Sequence, residues 1–110
     1  MDEQSVLKVI SKYLEIVREA GINVDRAVLF GSYLRSEAQP GSDIDIIVIA
    51  PEFDEPFREK WVNLLWELRA KSDSRIEPVP VGRRQWHEDD SSAIIEIARR
   101  EGEEIFLPIV

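Results

Sequence analysis

In LFGSYLRSEAQPGSDIDIIVIA, residues 29–50, two aspartates stand one residue apart where a polar loop gives way to an apolar run. Side chains alternate along a strand, so Asp43 and Asp45 fall on one face and Ile44 and Ile46 on the other. Two adjacent anions repel each other and are costly to desolvate unless a cation sits between them. Hard divalent cations such as Mg²⁺ prefer carboxylate and phosphate oxygens. The pair therefore reads as a ledge for metal. The alternative role is solvated charge at a strand end.

Gly31-Ser32 supplies the second half of the chemistry, at what reads as a strand-to-helix turn. The free N–H groups and the positive end of a helix favour an anion, and glycine lets a phosphate approach the backbone closely. A phosphate cradle and a metal ledge on neighbouring strands can hold a metal-chelated triphosphate. No GxxxxGK[ST] occurs, so this is not the P-loop pattern.

A third carboxylate, Glu77, lies in RIEPVPV. If its strand runs beside that of the aspartates, three carboxylates can hold two metal ions ~3.5–4 Å apart and clamp both oxygens of an in-line displacement. Otherwise Glu77 guards an edge strand against aggregation. Arg35 follows the cradle and faces either phosphate or solvent. Arg83 and Arg84, just past that strand, read as surface charge, with phosphate contact as the alternative, and His87 reads as a surface residue.

The elements that must position these groups follow from periodicity. From Ser5 to Ala20, Val6, Val9, Ile10, Tyr13, Leu14 and Val17 recur at helical spacing, and Gly21 supplies the stop. Ala27 to Phe30 reads as a short buried strand. Ser32 is a good N-cap for about two helical turns over YLRSEA, before Pro40-Gly41 breaks the chain. Ile44 to Ile49 is the second strand. A helix is expected over Phe57 to Lys71, with Phe57, Trp61, Leu64, Leu65 and Leu68 on its core face. Arg75 to Val81 is a third strand, and Pro78 and Pro80 place it at the sheet's border because both lack donors on one edge. A last helix runs near Ser92 to Arg100, Gly102 ends it, and EEIFLPIV closes the chain as a short strand or apolar tail. Helices alternating with strands give an α/β (α+β) class, a small mixed sheet with helices packed on it.

The 110 residues suffice for a single domain, 1–110, with a modest core. Against 22 Asp+Glu stand 14 Lys+Arg, a net charge of −8. That balance argues against non-specific nucleic-acid binding, which needs basic residues, but not against a nucleotide bound through metal. Without cysteine, disulfides and thiolate metal sites are excluded, and a single histidine argues against a zinc site built on imidazoles. No apolar run approaches the ~20 residues of a membrane span, and the charged start is unlike a signal peptide. A cytoplasmic address is expected.

Gly31-Ser32, ten residues, then Asp43-Ile44-Asp45 resembles the GS-x10-DxD signature of the DNA polymerase β-like nucleotidyltransferase superfamily. Fixing four residues at roughly one in fifteen each, over about a hundred starts, gives on the order of two chance hits per thousand chains. The short chain, the later acidic strand and the ending ARREGEEIF are similar to the minimal nucleotidyltransferase branch, with the resemblance spanning about Ala27 to Val81. It implies a polymerase β-like nucleotidyltransferase fold. It further implies that Asp43 and Asp45 bind both of two Mg²⁺ ions. Glu77 would bind the catalytic one and help activate the acceptor, and Gly31 and Ser32, with Arg35, would hold a nucleoside triphosphate. Many members have glycine where Ser36 follows Arg35 here, which bears on the loop's shape.

The activity so implied is transfer of a nucleoside monophosphate, AMP from ATP by abundance, to an acceptor hydroxyl with release of pyrophosphate. In that branch the partners are small helical HEPN proteins, paired as toxin and antitoxin, and the HEPN protein itself can be the acceptor. A small-molecule acceptor, as in the aminoglycoside nucleotidyltransferases, is the other class. The competing reading is a catalytically weak module that neutralises a HEPN partner by contact. One further expectation concerns surface. Trp66 lies 140° from Trp61 on a helical wheel, so one face cannot bury both. Either the apolar tail folds back over Trp66 and Val62, or Trp66 faces a partner or a second copy of the chain.

Overall fold

The computed structural model describes residues 3–31 and 41–107. The expected short helix over YLRSEA lies outside them, as do Ser32, Arg35 and Ser36. Helix α1 spans Glu3–Glu19, strand β1 Arg26–Phe30, strand β2 Ile44–Ala50, helix α2 Glu59–Leu68 and strand β3 Ile76–Gly82. Helix α3 (Arg83–Glu88), helix α4 (Ala93–Glu101) and strand β4 (Glu103–Ile105) complete the order. Among the described residues no helix is long and apolar enough to cross a membrane.

The sheet runs β3-β2-β1-β4, with β1 antiparallel to both β2 and β4, and β2 parallel to β3. It is the small mixed sheet expected, and β3 lies at its border. The prolines explain why. Pro78 and Pro80 face Ile46 and Val48 across the parallel ladder, and their donorless nitrogens suit the unpaired edge.

Alternation along β2 divides the apolar core in two. Ile44, Ile46, Val48 and Ala50 are buried with Val6, Ile10, Tyr13, Leu14 and Val17 of α1 and with Leu65 and Leu68 of α2. Ile47 and Ile49 are buried on the other face, with Val28, Val81, Trp86 of α3, and Ile95 and Ala98 of α4. Covered on both faces, β2 therefore reads as a continuous apolar run rather than an alternating one.

Some boundaries differ from expectation. Helix α2 starts at Glu59, and Arg58 ahead of it is extended (φ −117°, ψ 128°). Phe57 thus lies before the helix, off its core face, and is 46% exposed. A 3₁₀ turn, Arg69–Lys71, replaces the expected last helical turn. Helix α3 escapes the sequence reading because RRQWHE offers one apolar residue and no period. Its Trp86 is buried by contact with the sheet. The chain's end forms β4 beside β1, at the opposite border from β3. Trp66 remains 38% exposed, so the described part of the tail does not bury it.

Candidate active site

The three acidic candidates meet at one end of the sheet. Strand β1 ends where β2 begins, with Phe30 opposite Asp45. Because β3 runs parallel to β2, Glu77 lies level with Asp45. Both point to the face lined farther along by Ile47, Ile49 and Val81, and the two-residue period adds Asp43 to that side. Asp43 is exposed, while Asp45 and Glu77 are half-buried.

The electrostatics record how close the groups are. Glu77 shares a side-chain hydrogen bond with Asp43, and this bond is the main reason its pKa stands above the ordinary carboxylate value. Burial adds to the rise, as do the charges of Asp43 and Asp45, while the guanidinium of Arg69 opposes it.

Gly31 completes the corner. Its φ of +81° lies in the left-handed region that favours glycine. A Cβ there would collide with Oδ2 of Asp45 and stand 3.2 Å from its Cγ. The sequence reading assigned this glycine to a phosphate's approach, and the structure adds a role nearer home, room for the Asp45 carboxylate. Ser32 and Arg35 lie outside the described residues.

Other charged candidates fall elsewhere. Arg83 and Arg84 begin α3, after the far end of β3 from Glu77. Arg83 pairs with Asp25 at 3.0 Å and Arg84 with Glu88 at 3.7 Å. His87 is exposed on the same helix.

Sequence reasoning passed over Arg69. Its Nη1 donates to the carbonyls of Ser74 (2.8 Å) and Ile76 (3.1 Å), the residues that lead into Glu77. The available signal was the spacing of Trp66 and Arg69, three apart and so neighbours on one helical face. The guanidinium carbon lies 4.2 Å from the Trp66 ring centroid.

The donor set suits a hard divalent cation, since three carboxyl groups offer oxygen ligands and mutual repulsion that a cation would relieve. Among the described residues no three acidic, histidine or cysteine side chains are placed close enough together to hold a metal ion as they stand.

A four-stranded mixed sheet, helices on both faces, and carboxylates from two adjacent strands beside a glycine corner define a nucleotidyltransferase type of domain. Residues 10–100 match the nucleotidyltransferase domain family, and the chain belongs to it. Solved structures carry the same fold. A putative nucleotidyltransferase from Sulfolobus solfataricus superposes with a TM-score of 0.66 at 14% identity, covering 96% of this chain and 88% of that one. A toxin-antitoxin structure with AMP-PNP gives a TM-score of 0.60 at 20% identity, over 89% and 73% of the two chains. A structure of tri-AMPylated Shewanella oneidensis HEPN toxin in complex with MNT antitoxin gives 0.55 at 20% identity, over 96% and 72%. No curated protein is similar enough in sequence to count as a match.

Proposed function

We propose that this protein is a minimal nucleotidyltransferase that moves AMP from ATP to an acceptor hydroxyl, with a HEPN-type helical protein as partner and acceptor. The observation that carries the reading is the meeting of Asp43, Asp45 and Glu77 beside Gly31. The toxin-antitoxin complexes among the structural neighbours, one holding an AMPylated toxin, favour this partner over a small-molecule acceptor.

Asp43 and Asp45 would hold two Mg²⁺ ions and Glu77 would share one of them. Bound there, the ions supply neutralising charge for the triphosphate and its developing leaving group. The chain's own residues do the rest. Gly31, with Ser32 and Arg35, would orient the triphosphate so that its α-phosphorus faces the acceptor. Glu77, on the border strand, would face the acceptor hydroxyl and receive its proton. The acceptor oxygen then forms a bond to the α-phosphorus as the bond to the bridging oxygen breaks, and pyrophosphate leaves.

The test is transfer of label from α-labelled ATP, with Mg²⁺, to a HEPN-type helical protein. Labelled partner and released pyrophosphate in equal amounts are expected. Neutralisation of the partner without label would instead support the contact-only module, and label on an aminoglycoside alone the small-molecule class.

A further inference from the structure

Strand β3 is held on its inner side by the ladder to β2, beginning with Ile44 N–H donating to the Arg75 carbonyl at 2.8 Å. Carbonyls alternate along a strand, so the next one, Ile76, points to the unpaired border. A border without a second ladder leaves the first residues of β3 held from one side only, and Glu77 is the second residue of that strand. Arg69 closes this gap. One nitrogen of its guanidinium takes both the Ser74 and the Ile76 carbonyls, so the turn before the strand and its first residue are tied to the end of α2. Trp66, one helical turn earlier, stacks over the same guanidinium. The ring's exposed surface leaves the pair at the molecule's border, beside the site rather than in the core. Among the described residues Arg69 makes no ion pair, and its charge acts on Glu77 against the push of Asp43 and Asp45.

We infer that Arg69, steadied by Trp66, is a positioning residue that sets Glu77 against Asp45 and so completes the acidic site. The inference rests on the proposed function for what the site does, but on the two carbonyl bonds and the ring stack for the geometry. Lysine would replace it only in part, because an ammonium can donate to the two carbonyls but has no planar face to stack on Trp66.

The experiment is Mn²⁺ titration in the presence of a non-hydrolysable ATP analogue, run beside the transfer assay, on wild type, Arg69→Gln, Arg69→Lys, Trp66→Ala and Glu77→Gln. Arg69→Gln is expected to lose about 10–100-fold in affinity at the weaker Mn²⁺ site and in turnover. Glu77→Gln should lose the same metal site, Arg69→Lys should fall between, and Trp66→Ala should show a smaller loss in the same direction. Trp66→Ala leaves both carbonyl bonds available, so it carries the test if Arg69→Gln fails to fold. Wild-type Mn²⁺ affinity and turnover in all the Arg69 and Trp66 variants, with Asp45→Asn inactive, would overturn the inference while leaving nucleotidyl transfer standing. Reduced thermal stability with unchanged Mn²⁺ affinity would also overturn it, since Arg69 would then serve the fold alone. A wild-type protein with no Mn²⁺ site at all would remove the proposed function and this inference together.

Discussion

Gly31 and Asp45 contend for one volume: a Cβ on residue 31 would run into the Asp45 carboxylate that the strand pairing brings beside it. Alanine at position 31 therefore meets two penalties, a left-handed φ of +81° and a backbone-anchored atom against Oδ2. Gly31→Ala should lower stability by ~1–3 kcal/mol, a fall of several degrees in Tm for a domain of this size. It should also displace Asp45 and weaken binding of Mg²⁺·ATP. A thermal melt and a nucleotide titration check both effects, and an unchanged Tm would contradict the shared volume.

Glu77 and Asp45 should differ in the step they serve. Glu77 lies on the border strand, level with Asp45 but one strand farther from Gly31. Glu77→Gln should cut transfer by ~10²-fold or more, as loss of a proton acceptor does, while Mg²⁺·ATP affinity changes little. Asp45→Asn should reduce both. Equal losses of nucleotide affinity in the two variants would remove this division of roles.

Much of this site was legible in the chain because its determinants are local. The period of two puts Asp43 and Asp45 on one face, and the prolines of RIEPVPV place Glu77's strand at a border before any contact is known. The register that sets Glu77 level with Asp45 is long-range, so sequence could only make it conditional on the strands being neighbours. Arg69 was missed for the same reason: its partners are backbone carbonyls, which every residue has and no motif encodes. Trp86 was hidden by polar neighbours, although it fills the core opposite α1. Phe57 was misplaced because apolar spacing continues past the point where the backbone at Arg58 leaves the helix.

Tyr13 ties α1 to α2 through its hydroxyl, which donates to the Leu65 carbonyl at 2.7 Å. The carbonyl keeps a second partner in the N–H of Arg69, so Tyr13→Phe should cost only ~0.5–1.5 kcal/mol. Burial pushes the Tyr13 hydroxyl well above its ordinary pKa, with Arg69 opposing. An acid whose pKa is raised by folding contributes stability in full below its unfolded pKa, and that share is lost as pH rises beyond it. Wild type should therefore lose stability above pH ~10, and Tyr13→Phe should lose less of it. Denaturant melts across alkaline pH check this, and identical slopes would contradict it.

At the acidic end the sign reverses. The Arg75 side chain, hydrogen-bonded to Asp73, holds that carboxylate below its ordinary pKa, and burial opposes it only in part. Stability from this pair is present above the unfolded carboxylate pKa and is lost as pH falls through the folded one. Asp73→Asn should flatten the acid limb of the stability profile, by under ~1 kcal/mol for a pair so near solvent. Melts between neutral pH and the acid transition decide it, and an acid limb as steep as wild type would count against the pair.

In the proposed function the Asp43–Asp45–Glu77 cluster transfers AMP, and the most direct measurement is the rate of label transfer from α-labelled ATP to the proposed helical partner. Wild type should label the partner in a Mg²⁺-dependent way, and EDTA should stop it. Asp43→Asn and Asp45→Asn, each folded by circular dichroism and melting no lower than wild type once a repelling anion is gone, should transfer ~10³-fold more slowly or less. Near-wild-type transfer by both variants would contradict the account at its root.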